Sequence, residues 1–201
     1  MILENKLHIT NQVELAKAEE KMTKQKAKQL FDSGDMHKVE VGTFAGLAFV
    51  HHYLFGDIYA FAGQIRNVNM AKGSFRFAPL MYLQASLNYI DAMPQKTFPE
   101  IVEKYVEMNV AHPFREGNGR ATRIWLDLIF KKELQHVVDW NLVEKESYLS
   151  AIERSVVKDL EIKVLLKQAL TPDIDNRALF MRGIDVSSFY EGYSEFQTEG
   201  L

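Results

Sequence analysis

Five prolines, Pro79, Pro94, Pro99, Pro113 and Pro172, are scattered over 201 residues, and helix formers fill most of the chain between them. A helix interior tolerates proline least of all residues. Proline-free stretches with apolar residues at three- and four-residue steps therefore commit a chain to helices. Thr10 or Asn11 can cap a first helix reaching about Phe31, with Leu15, Ala18 and Met22 on one face. Glu20 and Lys24 are read on its wet side, and the lysine-rich run from Lys17 to Lys28 as a solvated face. A second helix is predicted from about Val41 to Phe55, ended by Gly56. Others follow at about 80–92, 99–111, 119–134, 143–154, 158–169, 173–181 and 186–198. One stretch alternates instead. Ile65 to Met70, then Lys72-Gly73-Ser74, then Phe75-Arg76-Phe77 reads as a small β-hairpin over about 65–78. The expected class is mainly α, with residues 1–201 forming one domain.

The chain has no cysteine, which excludes disulfides, thiolate metal sites and cysteine nucleophiles. The fold must stand on its core, and 47% apolar residues suffice for one. With 24 basic and 27 acidic residues the net charge is −3, which argues against a nucleic-acid partner bound by charge. The apolar runs are too short for a membrane span, and the first residues lack a signal-peptide pattern. A cytoplasmic protein with no membrane partner is expected.

Chemistry is concentrated in His112-Pro113-Phe114-Arg115-Glu116-Gly117-Asn118-Gly119-Arg120-Ala121-Thr122-Arg123. Pro113 should end the preceding helix at His112. Gly117 and Gly119 permit a tight turn and close approach of backbone to a ligand. The helix restarting near Asn118 offers free N–H groups to an anion. Arg120 and Arg123 lie three apart in its first turn, where the helix dipole is already positive. A polyphosphate would neutralise them. Glu116 is placed to hold Mg²⁺ beside those phosphates, and His112 is the natural proton acceptor near neutral pH. The residues thus point to phosphoryl or nucleotidyl transfer.

This segment resembles the Fic family signature, HPFx(D/E)GNGRxxR, without departure. Leu54 to Arg66 and Lys72 to Phe77 resemble the family too, so the likeness spans about residues 10–195. The resemblance implies a Fic-type helical bundle with a hairpin flap. It implies transfer of AMP from ATP to a Ser, Thr or Tyr hydroxyl of a protein target, with self-modification. His112 would take the hydroxyl proton and Glu116 would hold Mg²⁺, with Ca²⁺ as an alternative ion. Gly117, Asn118 and Gly119 would form the anion hole. Arg120 would neutralise the phosphates and Arg123 would hold the γ-phosphate. The target would add a strand to the flap edge, and Lys72 and Gly73 would touch the nucleotide. Phe114 is expected to anchor the loop. The resemblance leaves homo-oligomers open.

Ser187 and Glu191, followed by Gly192, match the (S/T)xxxE(G/N) motif of autoinhibited relatives, in which the glutamate pairs with the second signature arginine, here Arg123. Such a glutamate also implies removal of AMP from modified protein. Two alternatives are kept: a Fic-fold enzyme moving another phosphate-linked group, and a nucleotide-sensing module held inactive. Ser188 and Glu191 also fit a helix-starting capping box. His51 and His52 are adjacent and lack a third ligand, so a structural role is expected for both.

Overall fold

The computed structural model describes residues 2–73 and 75–201. Ser74, read as part of the hairpin turn, lies outside the described residues. The helices are α1 (Gln12–Asp32), α2 (Phe44–Phe55), α3 (Leu80–Ala92), α4 (Phe98–Ala111), α5 (Asn118–Leu134), α6 (Lys145–Arg154), α7 (Leu160–Ala169) and α8 (Arg177–Tyr190). The protein is mainly α, as its proline spacing predicts. Asn11 caps α1, its side chain accepting from the Val13 and Glu14 amides. Thr97 and Glu100 form a capping box at the start of α4.

Helix α5 is the axis of the bundle. Trp125, Leu126, Ile129 and Phe130 on it are fully buried, and α2, α4 and α8 pack around it. Such a helix, apolar on most faces, has to be central. No helix among the described residues is long and apolar enough to cross a membrane.

Three expectations need correction. The hairpin strands are short: β1 (Ala71–Lys72) pairs antiparallel with β2 (Phe75–Arg76). Residues 65–70 do not join the ladder: the Arg66 amide donates to the Pro113 carbonyl at 2.8 Å, and its side chain turns inward, 3% exposed. A second two-residue ladder, β3 (Val137–Val138) with β4 (Leu170–Thr171), is too short to leave an alternating pattern.

The two helices expected at 173–181 and 186–198 are one, α8, and Glu191 is its C-terminal cap. Ser188 and Glu191 therefore end a helix and do not form a box that starts one. Beyond Gly192 the chain leaves the helix and crosses α1.

That crossing overturns the wet face of α1. Glu20 and Lys24 are 2% and 1% exposed. Lys24 Nζ pairs with Glu20 at 2.9 Å and Asp185 at 3.2 Å, and it donates to the Phe196 carbonyl. Glu20 accepts from the Glu195 and Phe196 amides. The i,i+4 pair read as surface charge is the buried anchor of the C-terminal segment.

Asp127, on α5, is half-buried and accepts from the Val138 amide and Trp140 Nε1, both at 2.9 Å. Burial pushes its pKa up to about 7, against an ordinary 3.8. A carboxyl raised on folding stabilises the fold below its unfolded pKa and loses that contribution as pH rises through the folded value. Asp127→Asn is expected to flatten the pH dependence of the melting temperature between about pH 4 and 7. A thermal-denaturation series across that window checks it.

Candidate active site

The site forms where α4 stops and α5 begins. His112 caps α4 in the left-handed region, φ 48°, a conformation that reverses the chain but is uncommon outside glycine. Phe114 follows, fully buried, its ring 3.8 Å from the His51 ring and 5.9 Å from Phe44. It anchors the loop as expected. The Asn118 side chain bonds twice to the Phe114 backbone, both at 2.8 Å, and so closes the loop on itself. Gly117 has φ +75°, and a Cβ there would lie 2.3 Å from the Phe55 ring. Only glycine fits both demands.

His51 is a structural residue. Its Nε2 bonds the Glu116 carbonyl at 2.7 Å, and its Nδ1 accepts from the Gly63 amide at 2.9 Å. Burial lowers its pKa to about 4, so it holds the loop as a neutral ring.

A cavity of about 470 Å³ opens beside the loop. Lys72 and Gly73 from the hairpin, His112, Gly119, Arg123 and Glu191 all line it. Tyr148, Leu149 and Ile152 of α6 make an apolar end. The size suits a drug- or nucleotide-sized molecule. The His112 ring stacks on Phe77 with centroids 3.6 Å apart. Burial, and then the charge of Arg66, hold its pKa down at about 4, so the imidazole is neutral at pH 7.

Arg123 is fully enclosed. Its Nε donates to Ser187 Oγ at 2.7 Å, and its Nη2 donates to the Ser187 carbonyl at 2.9 Å and to Glu191 Oε1 at 2.7 Å. The Tyr148 and Tyr190 rings flank it. Burial opposes charge on Glu191, yet Arg123 holds its carboxyl below the ordinary range. Glu191 also lies against Gly119, where a Cβ would come within 2.2 Å of its Oε1.

Glu116 and Arg120 are not among the residues lining the cavity. Arg120 Nη2 pairs with Glu19 of α1 at 2.6 Å and with Glu116 at 3.3 Å, between the Phe55 and Tyr193 rings. Its Nε and Nη1 are buried without hydrogen-bond partners. The two arginines crowded at a helix N-terminus are thus balanced by three glutamates of the same chain. Glu19 and Tyr193 give no sequence signal for this, because they reach Arg120 from opposite ends of the chain. Glu116 Oε1 also accepts from the Gly117 amide at 2.9 Å, and its side chain is 40% exposed. Burial raises its pKa, opposed by Arg120.

A left-handed histidine cap, a glycine turn and a helix N-terminus carrying two buried arginines form one site on a helical bundle. Residues 43–130 match the Fic/DOC family. A probable protein adenylyltransferase, y4lH, of Sinorhizobium fredii is 29% identical over 79% of this chain and 85% of its own. The probable protein adenylyltransferase Fic of Escherichia coli is 29% identical over 79% of this chain and 82% of its own. Among solved structures, the BepC protein of Bartonella tribocorum, with bound AMPPNP, aligns with a TM-score of 0.68 at 19% identity, covering 86% of this chain and 94% of its own. A Fic domain of Bartonella quintana with bound ADP aligns at 0.69 and 20% identity, over 88% and 92% of the two chains. These structures share the Fic fold.

Proposed function

We propose that the chain transfers AMP from ATP to a hydroxyl of a protein, itself included, and that Glu191 restrains this activity. The observation that carries the reading is that His112, Arg123 and Glu191 line one cavity, with Arg123 already paired to Glu191. The names of two relatives, both probable protein adenylyltransferases, agree with the reaction.

In this reading the acceptor oxygen bonds to the α-phosphorus while its proton passes to a ring nitrogen of His112. The bond from the α-phosphorus to the bridging oxygen breaks, and pyrophosphate leaves. First-turn amides at Asn118 and Gly119 receive phosphate oxygens, and the Gly117 amide joins them once it is released from Glu116 Oε1. Arg120 does not line the cavity, and in this reading it acts on the phosphates through its charge. Arg123, freed from Glu191, holds the γ-phosphate. Lys72 and Gly73 close the cavity from the hairpin, whose exposed β1 edge suits an added target strand. The work of the chain is positioning and electrostatics.

Glu116 fits a divalent ion, Mg²⁺ or Ca²⁺, as a partly exposed carboxylate beside the anion loop. No group of three or more metal-ligating side chains exists among the described residues, so the ion would share its shell with phosphate oxygens. When bound it draws charge from those oxygens. The position of the Glu191 carboxylate in the same cavity as His112 also favours a second activity, hydrolytic removal of AMP with Glu191 orienting the water.

ATP labelled separately at the α- and γ-phosphates tests the reaction, with Mg²⁺ and the Glu191→Gly variant. Label from the α-position alone is expected in protein. Transfer of γ-label makes the enzyme a different phosphate-group transferase. ATP binding with no transfer of either label favours the nucleotide-sensing module.

A further inference from the structure

Arg66 stands out among the buried charges. It is 3% exposed, and all four of its side-chain hydrogen bonds go to backbone carbonyls. A buried arginine without a carboxylate is costly unless its carbonyl partners are fixed and numerous. Here they come from two elements. Nη1 donates to Val68 and Nη2 to Ala78, both at 2.6 Å, which ties together the two legs of the hairpin. Nε donates to the His112 carbonyl at 2.8 Å and Nη2 to Ala111 at 3.3 Å, at the negative end of α4. Two backbone bonds complete the joint. The Arg66 amide donates to Pro113 at 2.8 Å and the Ala78 amide to Val110 at 2.9 Å. Four consecutive carbonyls, Val110 to Pro113, are thus all satisfied from the hairpin stem. Phe77, next to Ala78 in that stem, carries the ring that stacks on His112.

We propose that Arg66 is a positioning residue that locks the hairpin stem and His112 into one unit and fixes a positive charge beside the imidazole. The proposal rests on reading His112 as the proton acceptor. It means that a target strand docked on the hairpin edge is registered directly to the proton acceptor. The charged groups facing His112 are Arg66 and Lys72, which disfavour the imidazolium, and Glu191, which favours it. Of the two cations, Arg66 is the stronger influence, and it is fixed by the carbonyl cage.

Two substitutions separate charge from clamp. Arg66→Lys keeps the charge, but one ammonium cannot span carbonyls of both elements. Arg66→Gln removes the charge. Both are made in the Glu191→Gly background, and two properties are read: the His112 titration by histidine-labelled NMR, and the pH-rate profile of AMP transfer to a protein acceptor. Arg66→Gln is expected to raise the His112 titration, and with it the acidic limb of the rate profile, by about one pH unit. Arg66→Lys is expected to leave both near the parent's position, to lower turnover at least about tenfold, and to leave ATP affinity unchanged. Unchanged titration and turnover in both variants overturn the proposal. So does a loss of ATP affinity in Arg66→Lys equal to its loss of turnover, which marks a general structural role. If the Glu191→Gly parent transfers no AMP, the proposed reaction fails. The NMR titration still tests the role of Arg66.

Discussion

Replacing Glu191 by glycine is expected to raise AMP transfer by roughly 10- to 150-fold. Glu191 accepts a 2.7 Å charge-assisted bond from Arg123, whose side chain is 3% exposed. Such a bond contributes about 1.5–3 kcal/mol, and a γ-phosphate must displace it to reach the same guanidinium. The factor follows from about 1.4 kcal/mol per tenfold change. Glycine removes the competitor and leaves the Ser187 bonds to Arg123 in place. Because Glu191 caps the end of α8 and is followed by Gly192 at φ +91°, the substitution costs the helix little. Initial rates of label incorporation for the two proteins measure the effect. Equal rates would show that the pair is structural.

His112→Ala in the Glu191→Gly background is expected to lower transfer by about 10²- to 10⁴-fold, the usual contribution of a positioned proton acceptor. ATP binding should persist, because the loop is held by Phe114, Asn118 and His51, none of which needs the imidazole. Nucleotide affinity measured by calorimetry separates this from collapse of the site. A variant that binds ATP and transfers at the parent rate removes His112 from the chemistry.

The segment from His112 to Arg123 was legible because its constraints are local. Proline, two glycines and two arginines near the start of α5 act around one chain reversal. The Arg123–Glu191 contact was legible only through the family motif, since spacing alone cannot say where the last helix ends. Its end was misplaced because residues 173–198 are helix-compatible throughout, and tertiary packing decided the boundary. Long-range electrostatics stayed hidden for the same reason. Glu20 and Lys24 look like a solvated pair until the C-terminal segment covers them. Arg66 looked like one polar position in an alternating strand. Its partners lie at Val68 and Ala78 in its own hairpin and at Ala111 and His112 in another element, and no local pattern encodes that cage.

The decisive measurement is incorporation of α-labelled ATP into protein by three forms compared side by side with Mg²⁺: the natural sequence, Glu191→Gly, and Glu191→Gly with His112→Ala. A restrained transferase gives weak label in the first, strong label in the second and almost none in the third. Glu191→Gly protein that binds ATP yet takes up no α-label, alone or with candidate acceptors, contradicts the proposed transfer.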